Sequence, residues 1–255
     1  MPLIGRDREL AEILALVGDP HAPLVVLTGP GRIGKSRLAA AVVAQRQRDP
    51  AQTGTAILID LGQLPPDRTD LVLQAIADAL DIPRSGAPLD ADSIGAAIGE
   101  RPLLLALDGM EHLVAAGPQL STLLQSAPRL SILVTSQTVL DVYGERVYLV
   151  APIAFPDPDT LPETPPSLEE ALQYDAVRLF VQRAFGPGEL PVLTPDDIMA
   201  LLMVAARLEG HPLAIELAAS HHRTSGDGLP DLAAALAPVR EAVASPTPPA
   251  RAAPD

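Results

Sequence analysis

LVVLTGPGRIGKSRLAA, residues 24–40, passes from an apolar, β-branched run through three glycines into an alanine-rich segment. The run reads as a buried strand ending at Gly29, and the alanine-rich part as the opening of a helix. Between them, Gly29-Pro30-Gly31-Arg32-Ile33-Gly34-Lys35-Ser36 satisfies G-x-x-x-x-G-K-[ST], the Walker A phosphate-binding pattern, at the strand-to-helix junction where it belongs. A glycine-rich turn there lets successive N–H groups point inward around a phosphate, while the helix start contributes the positive end of its dipole. Lys35 is the only lysine among 18 basic residues. A compact ammonium fits inside a collar of amides where a planar, forked guanidinium does not. The pattern lets Lys35 reach β- and γ-phosphates and lets Ser36 ligate Mg2+.

Outward from this stretch, apolar runs alternate with segments of helical period. AILIDL (56–61), PLLLALD (102–108), LSILVTS (130–136) and RVYLVA (146–151) are further strand candidates. Leu10, Ile13, Leu14 and Val17 fall on one helical face, as do Leu73, Ile76, Ala77 and Leu80. Continuous apolar strands between amphipathic helices predict an α/β domain with a five-stranded parallel sheet sandwiched by helices, over residues 1–153. Six prolines between Pro152 and Pro166 exclude a helix or central strand there, so 154–167 is expected to be a linker. Beyond it, Ser167 with Glu170 has the form of a capping box, and Thr194 precedes Pro195 at a first helical position. Residues 168–244 read as a small all-helical lid subdomain, with a helix through PLAIELAASHH and another through DLAAALAPVREAV. Residues 245–255, rich in Pro and Ala, read as a disordered tail.

Bulk composition limits the function classes. The formal charge of −14 repels a phosphodiester backbone, and 2% aromatics offers no stacking surface, so direct nucleic-acid binding is not expected. There is no Cys, which removes disulfides and thiolate metal sites. No apolar run approaches the roughly 20 residues of a membrane span, and MPLIGRDREL lacks the apolar core of a signal peptide. A cytoplasmic location without membrane contact is the expectation. The histidines His112, His211, His221 and His222 form no spaced ligand cluster, and Asp60 is a strand-end carboxylate suited to a structural or water-mediated role.

A phosphate loop of this kind works with an acid at the end of a neighbouring apolar strand, and Leu103-Leu104-Leu105-Ala106-Leu107-Asp108 supplies one. Gly109 follows, where many P-loop ATPases carry a catalytic glutamate. Glu111 either orients the attacking water instead or is a solvated carboxylate at a helix start.

Residues 3–222 resemble the nucleotide-binding region of STAND ATPases, the NB-ARC-like domains of bacterial transcriptional regulators of the LuxR and SARP type. Seven motifs in order carry the resemblance: PLIGRDREL, LTGPGRIGKSRLA, LLLALDGMEHL, ILVTSQ, YGERVYLVAPI, AVRLFVQRA and LEGHPLAIELAA. It implies Gly5 and Arg6 near adenine and ribose, and contacts to nucleotide along Gly29, Pro30, Gly31, Arg32, Ile33, Gly34, Lys35, Ser36 and Arg37. It also implies Mg2+ held by Ser36 and Asp108, Gln137 at the sensor position facing the γ-phosphate, and Pro212 packing against the base. ATP or ADP with Mg2+ is the implied cofactor set, and a nucleotide-dependent regulatory switch the implied function. Three departures stand out. Arg32 replaces a usual glycine, Gln137 replaces a sensor arginine, and no winged-helix or effector region follows. They imply slow or vestigial hydrolysis, leave enzymatic turnover open, and point to an effector or protein partner supplied separately, or to a truncated regulator.

Overall fold

The computed structural model describes residues 3–48, 55–66, 68–83, 89–186, 188 and 190–236. The chain divides into two compact units between Ala151 and Pro152. In the first, chain order is α1 (Asp7–Val17), β1 (Leu24–Thr28), α2 (Lys35–Arg48), β2 (Thr55–Asp60), α3 (Asp70–Ala79), α4 (Ala91–Ile98), β3 (Leu103–Asp108), α5 (Gly117–Ser126), β4 (Leu130–Thr135) and β5 (Glu145–Leu149). The five strands form one all-parallel sheet in the order β2-β3-β4-β1-β5.

The unbroken apolar runs are explained by burial on both faces of this sheet. Leu24 and Val26 of β1, Leu103, Leu105 and Leu107 of β3, and Ile132 and Val134 of β4 pack with Ile76, Ile94 and Leu120 from α3, α4 and α5. The alternate residues Val25, Leu27, Leu104, Ala106 and Leu133 pack with Ile13, Val17, Leu38 and Val42 from α1 and α2. Every residue in these two groups is buried, so the period-2 alternation of the strands sorts them into two separate cores. On the edge strand β5, Tyr148 turns inward and donates its hydroxyl to Glu12 Oε2 on α1 at 2.6 Å, while Val147 and Leu149 remain exposed.

The second unit holds α6 (Leu168–Ala171), α7 (Asp175–Phe185), α8 (Pro195–Arg207), α9 (Pro212–Ser225) and α10 (Leu229–Ala235). Both expected helix starts are capped. Ser167 and Glu170 form a reciprocal box at α6, and Thr194 forms one at α8 with Asp197 as its third-position partner. α7 packs on α9 and α8 on α10; the Arg183 guanidinium holds Glu216 at 3.1 Å across the first pair. Between Pro152 and Pro166 the only regular element among the described residues is a single 3₁₀ turn, Pro158–Thr160. The start of this proline-rich stretch is nevertheless ordered on the helices. Ile153 is buried and donates to the Gly210 carbonyl at 3.0 Å, and the Ala154 carbonyl accepts from the Ala176 amide at 2.9 Å. The C-terminal half of the DLAAALAPVREAV helix and the 245–255 tail lie outside the described residues.

Candidate functional site

The polar groups of interest gather where the strands end. The strand order places β4 between β1, which leads into the phosphate loop, and β3, which ends at Asp108. The carboxyl ends of parallel strands next to a change in chain direction form the usual ligand crevice of such sheets. Four strand ends contribute here: Gly29 after β1, Asp60 on β2, Asp108 on β3, and Thr135 through Gln137 at the end of β4.

The loop owes its shape to a few positions. Gly29 has φ 137, and a Cβ there would stand 2.8 Å from the Val150 carbonyl oxygen, so no other residue fits. The Ile33 side chain is fully buried in the core beneath α1 and α2, pinning the loop from below. Its carbonyl accepts from Arg6 Nη2 at 3.2 Å, while Arg6 Nη1 pairs with Glu9 at 2.6 Å. Arg6 is 2% exposed, so the guanidinium is a buried strut between α1 and the back of the loop. The helix begins at Lys35, and its first backbone bond near the loop runs from the Leu38 amide to the Gly34 carbonyl. The amides of Gly34, Lys35 and Ser36 therefore belong to the first turn, whose N–H groups have no partner inside the helix.

Lys35 is 8% exposed and lies inside this turn. Its Nζ donates to the carbonyls of Gly29 and Pro30, both at 2.8 Å. Burial pushes the ammonium below the ordinary lysine range, against the opposing pull of the Glu111 and Asp108 carboxylates. Both acids singled out in the sequence thus act on Lys35. Glu111 is exposed and Asp108 half-buried.

Asp108 is held in place by a residue the sequence reading passed over. Thr135 donates its hydroxyl to Asp108 Oδ1 at 2.5 Å and accepts from the Gly109 amide at 2.9 Å. The available signal was a hydroxyl at the end of one apolar strand beside an acid at the end of the next. Gly109 has φ 84, and a Cβ on it would approach the Gly62 Cα to 3.0 Å. A glutamate at 109 would be strained, because φ is left-handed there and the Gly62 backbone would have to give way by a few tenths of an ångström. Asp60 accepts from the Gly62 amide at 2.9 Å, a structural duty. His112 donates through Nε2 to the Leu64 carbonyl at 2.8 Å, tying the turn after β3 to the segment after β2.

The remaining candidates are placed as follows. A Cβ on Gly31 would lie 3.6 Å from Gln137 Nε2, so the Gln137 amide stands beside the loop. Ser36 and Arg37 are exposed at the first turn of α2. Arg32 is exposed with φ 64, a left-handed conformation costing a side-chain-bearing residue roughly 1–2 kcal/mol. Gly5 lies just before α1 with φ 65. Pro212 opens α9 in the second unit, after His211. No group of three or more His, Cys, Asp or Glu side chains among the described residues is arranged to hold a metal.

No family model matches the chain. It is 34% identical over 222 residues to an uncharacterised protein of Mycobacterium tuberculosis, covering 87% of this chain and 51% of that one. It is 32% identical over 215 residues to a "Putative HTH-type transcriptional regulator" of the same organism, covering 82% of this chain and 22% of that protein. The chain thus spans about half the length of the first of these relatives and less of the second. Among solved structures it is similar to the Aeropyrum pernix ORC2 protein, determined as ADPNP–ADP complexes. The TM-score is 0.61 at 17% identity, over 96% of this chain and 70% of that one. The fold is that of the P-loop ATPases. No helix among the described residues is long and apolar enough to cross a membrane.

Proposed function

We propose that the chain is an ATP- and Mg2+-binding module of the STAND type, a nucleotide-dependent regulatory switch with slow or vestigial hydrolysis. The observation that carries this is the buried Lys35 ammonium, set in the first turn of α2 with Asp108 and Glu111 both acting on it. A buried ammonium held at the loop by the Gly29 and Pro30 carbonyls, at the start of a helix, together with a strand-end carboxylate fixed by Thr135, is suited to a phosphate chain neutralised by a divalent ion. The donor chemistry fits Mg2+: the Ser36 hydroxyl and the Asp108 carboxylate are hard oxygen ligands, with His112 engaged elsewhere. Bound there, Mg2+ would supply charge neutralisation for the β- and γ-phosphates.

Lys35 binds phosphate oxygens, the amides of the loop and first helical turn orient them, and Asp108 and Ser36 would hold the Mg2+. Arg6 acts behind the loop through Ile33. Glu111 is the group able to position water. The similarity to a protein named as an HTH-type regulator supports a regulatory role, with the effector or DNA-binding part carried outside this region or by a separate partner. This region itself, at a formal −14, does not bind nucleic acid directly.

A second reading, a nucleotide-binding interaction module without turnover, is favoured by Gly109, which supplies no carboxylate directly after Asp108 and whose left-handed backbone disfavours one. Steady-state phosphate release separates the two. The switch reading with residual hydrolysis expects a low rate that is lost in Lys35→Ala; equal rates in both proteins leave only the non-hydrolysing module.

A further inference from the structure

Thr135 ends β4 in the middle of the sheet. It lies in register with Leu27 of β1, and Val134 before it lies in register with Leu107 of β3, so one neighbouring strand leads into the phosphate loop and the other into the acidic turn. Thr135 holds that turn at three points. Its hydroxyl donates to Asp108 Oδ1 at 2.5 Å and accepts from the Gly109 amide at 2.9 Å, and its carbonyl accepts from the Met110 amide at 2.9 Å. One residue on, the Ser136 amide donates to the Leu27 carbonyl at 3.1 Å, tying the same strand end to β1 just before the loop.

A threonine hydroxyl carries one proton, and here that proton goes to a carboxylate oxygen. Thr135 is also only 2% exposed. It has neither a spare proton nor the access to meet a ligand itself. What it contributes to the site passes through Asp108 and through the turn that carries Glu111, the two carboxylates acting on Lys35. Partners that fix a ligating carboxylate commonly govern metal affinity about as strongly as their own bonding suggests, with losses of roughly 10–100-fold when they are removed.

We propose that Thr135 is a positioning residue for the divalent cation of this site: it fixes the Asp108 carboxylate that would hold Mg2+, without itself touching nucleotide or metal. The proposal rests on the nucleotide-binding reading of the loop. It assigns to a buried hydroxyl the part of nucleotide affinity that depends on Mg2+.

Calorimetric titration of the full chain with ATP, in Mg2+ and in EDTA, tests it in wild type, Thr135→Val, Thr135→Ser, Asp108→Asn, Lys35→Ala and the double variant D108N/T135V. Thr135→Val should weaken binding about tenfold in Mg2+ and by less than about threefold in EDTA. Thr135→Ser should keep most of the Mg2+-supported affinity, because the donor hydroxyl survives. Adding T135V to D108N should change affinity in Mg2+ by less than about threefold, because the carboxylate through which the hydroxyl acts is gone. Should Thr135→Val not fold, Thr135→Cys takes its place with the same expected outcomes, since a thiol is a weak donor. Equal losses in Mg2+ and EDTA, no loss in either, or an undiminished loss in the D108N background overturns the role of Thr135 and leaves the nucleotide site standing. Wild-type affinity indifferent to Mg2+ overturns the metal reading and this role together. Wild type binding no ATP, or Lys35→Ala binding it as wild type does, overturns the site itself and this role with it.

Discussion

At the scale of the residue, the site depends on positions whose backbone strongly favours one residue type. Gly109 combines φ 84 with a 3.0 Å approach to Gly62. Gly109→Ala should therefore cost about 2 kcal/mol in urea unfolding, and Gly109→Glu should fold no better and gain no phosphate release. A stable, faster Gly109→Glu protein would show that the turn can yield. Lys35 gives a pH-dependent signature. Its value is lowered in the folded protein, first by burial. The cost of keeping it charged is fully present below that lowered value and disappears as pH rises to the ordinary lysine value of about 10.4. The stability of wild type relative to Lys35→Met should therefore improve as pH rises through that alkaline window. A difference that stays flat, measured by denaturant unfolding at several pH values, contradicts the lowering.

At the scale of the element, most of the architecture was legible because strand and helix periods were clean. LVVLT, LLLALD and LSILVT are apolar apart from Ser131 and their last residues for a physical reason, burial on two faces, and each emerged as a strand within a residue or two of its expected ends. The capping box at Ser167 and the helix start at Thr194-Pro195 were legible because they are local chemistry, while the Thr194–Asp197 box emerged only in the structure. Long-range pairings were not. That Thr135 holds Asp108, that Tyr148 reaches Glu12 and that Arg6 reaches Ile33 all depend on which strand lies beside which, and on how α1 crosses the sheet. The left-handed backbone at Arg32 was foreseeable only as a condition, from the glycine that usually stands there. The strut from α1 supplies a test at this scale. Arg6→Ala should cost about 2 kcal/mol and loosen the loop, with Glu9 retaining partial access to water. Arg6→Lys should recover only part, because one ammonium cannot reproduce the forked contact with Glu9 and Ile33. Faster amide hydrogen exchange at residues 31–36 in Arg6→Ala is the accompanying sign; unchanged exchange would make Arg6 a matter of global stability alone.

At the scale of the whole molecule, a P-loop ATPase fold is joined to a helical unit in a strongly acidic chain that spans about half of its mycobacterial relative. The acidity makes the single buried ammonium and the exposed Arg32 conspicuous, since both stand at the one place where polyanion binding is proposed. It also predicts that this chain alone does not retard duplex DNA in a gel at any moderate salt concentration; a salt-sensitive shift would contradict the charge argument. The central claim is that Lys35, within the first turn of α2, receives a nucleotide phosphate chain. Isothermal calorimetric titration of the folded, Mg2+-supplied protein with ATP tests it most directly. Saturable binding at one site, lost in Lys35→Ala while that variant keeps its fold, is the predicted result. Absence of saturation in wild type, or equal binding by the variant, would contradict it.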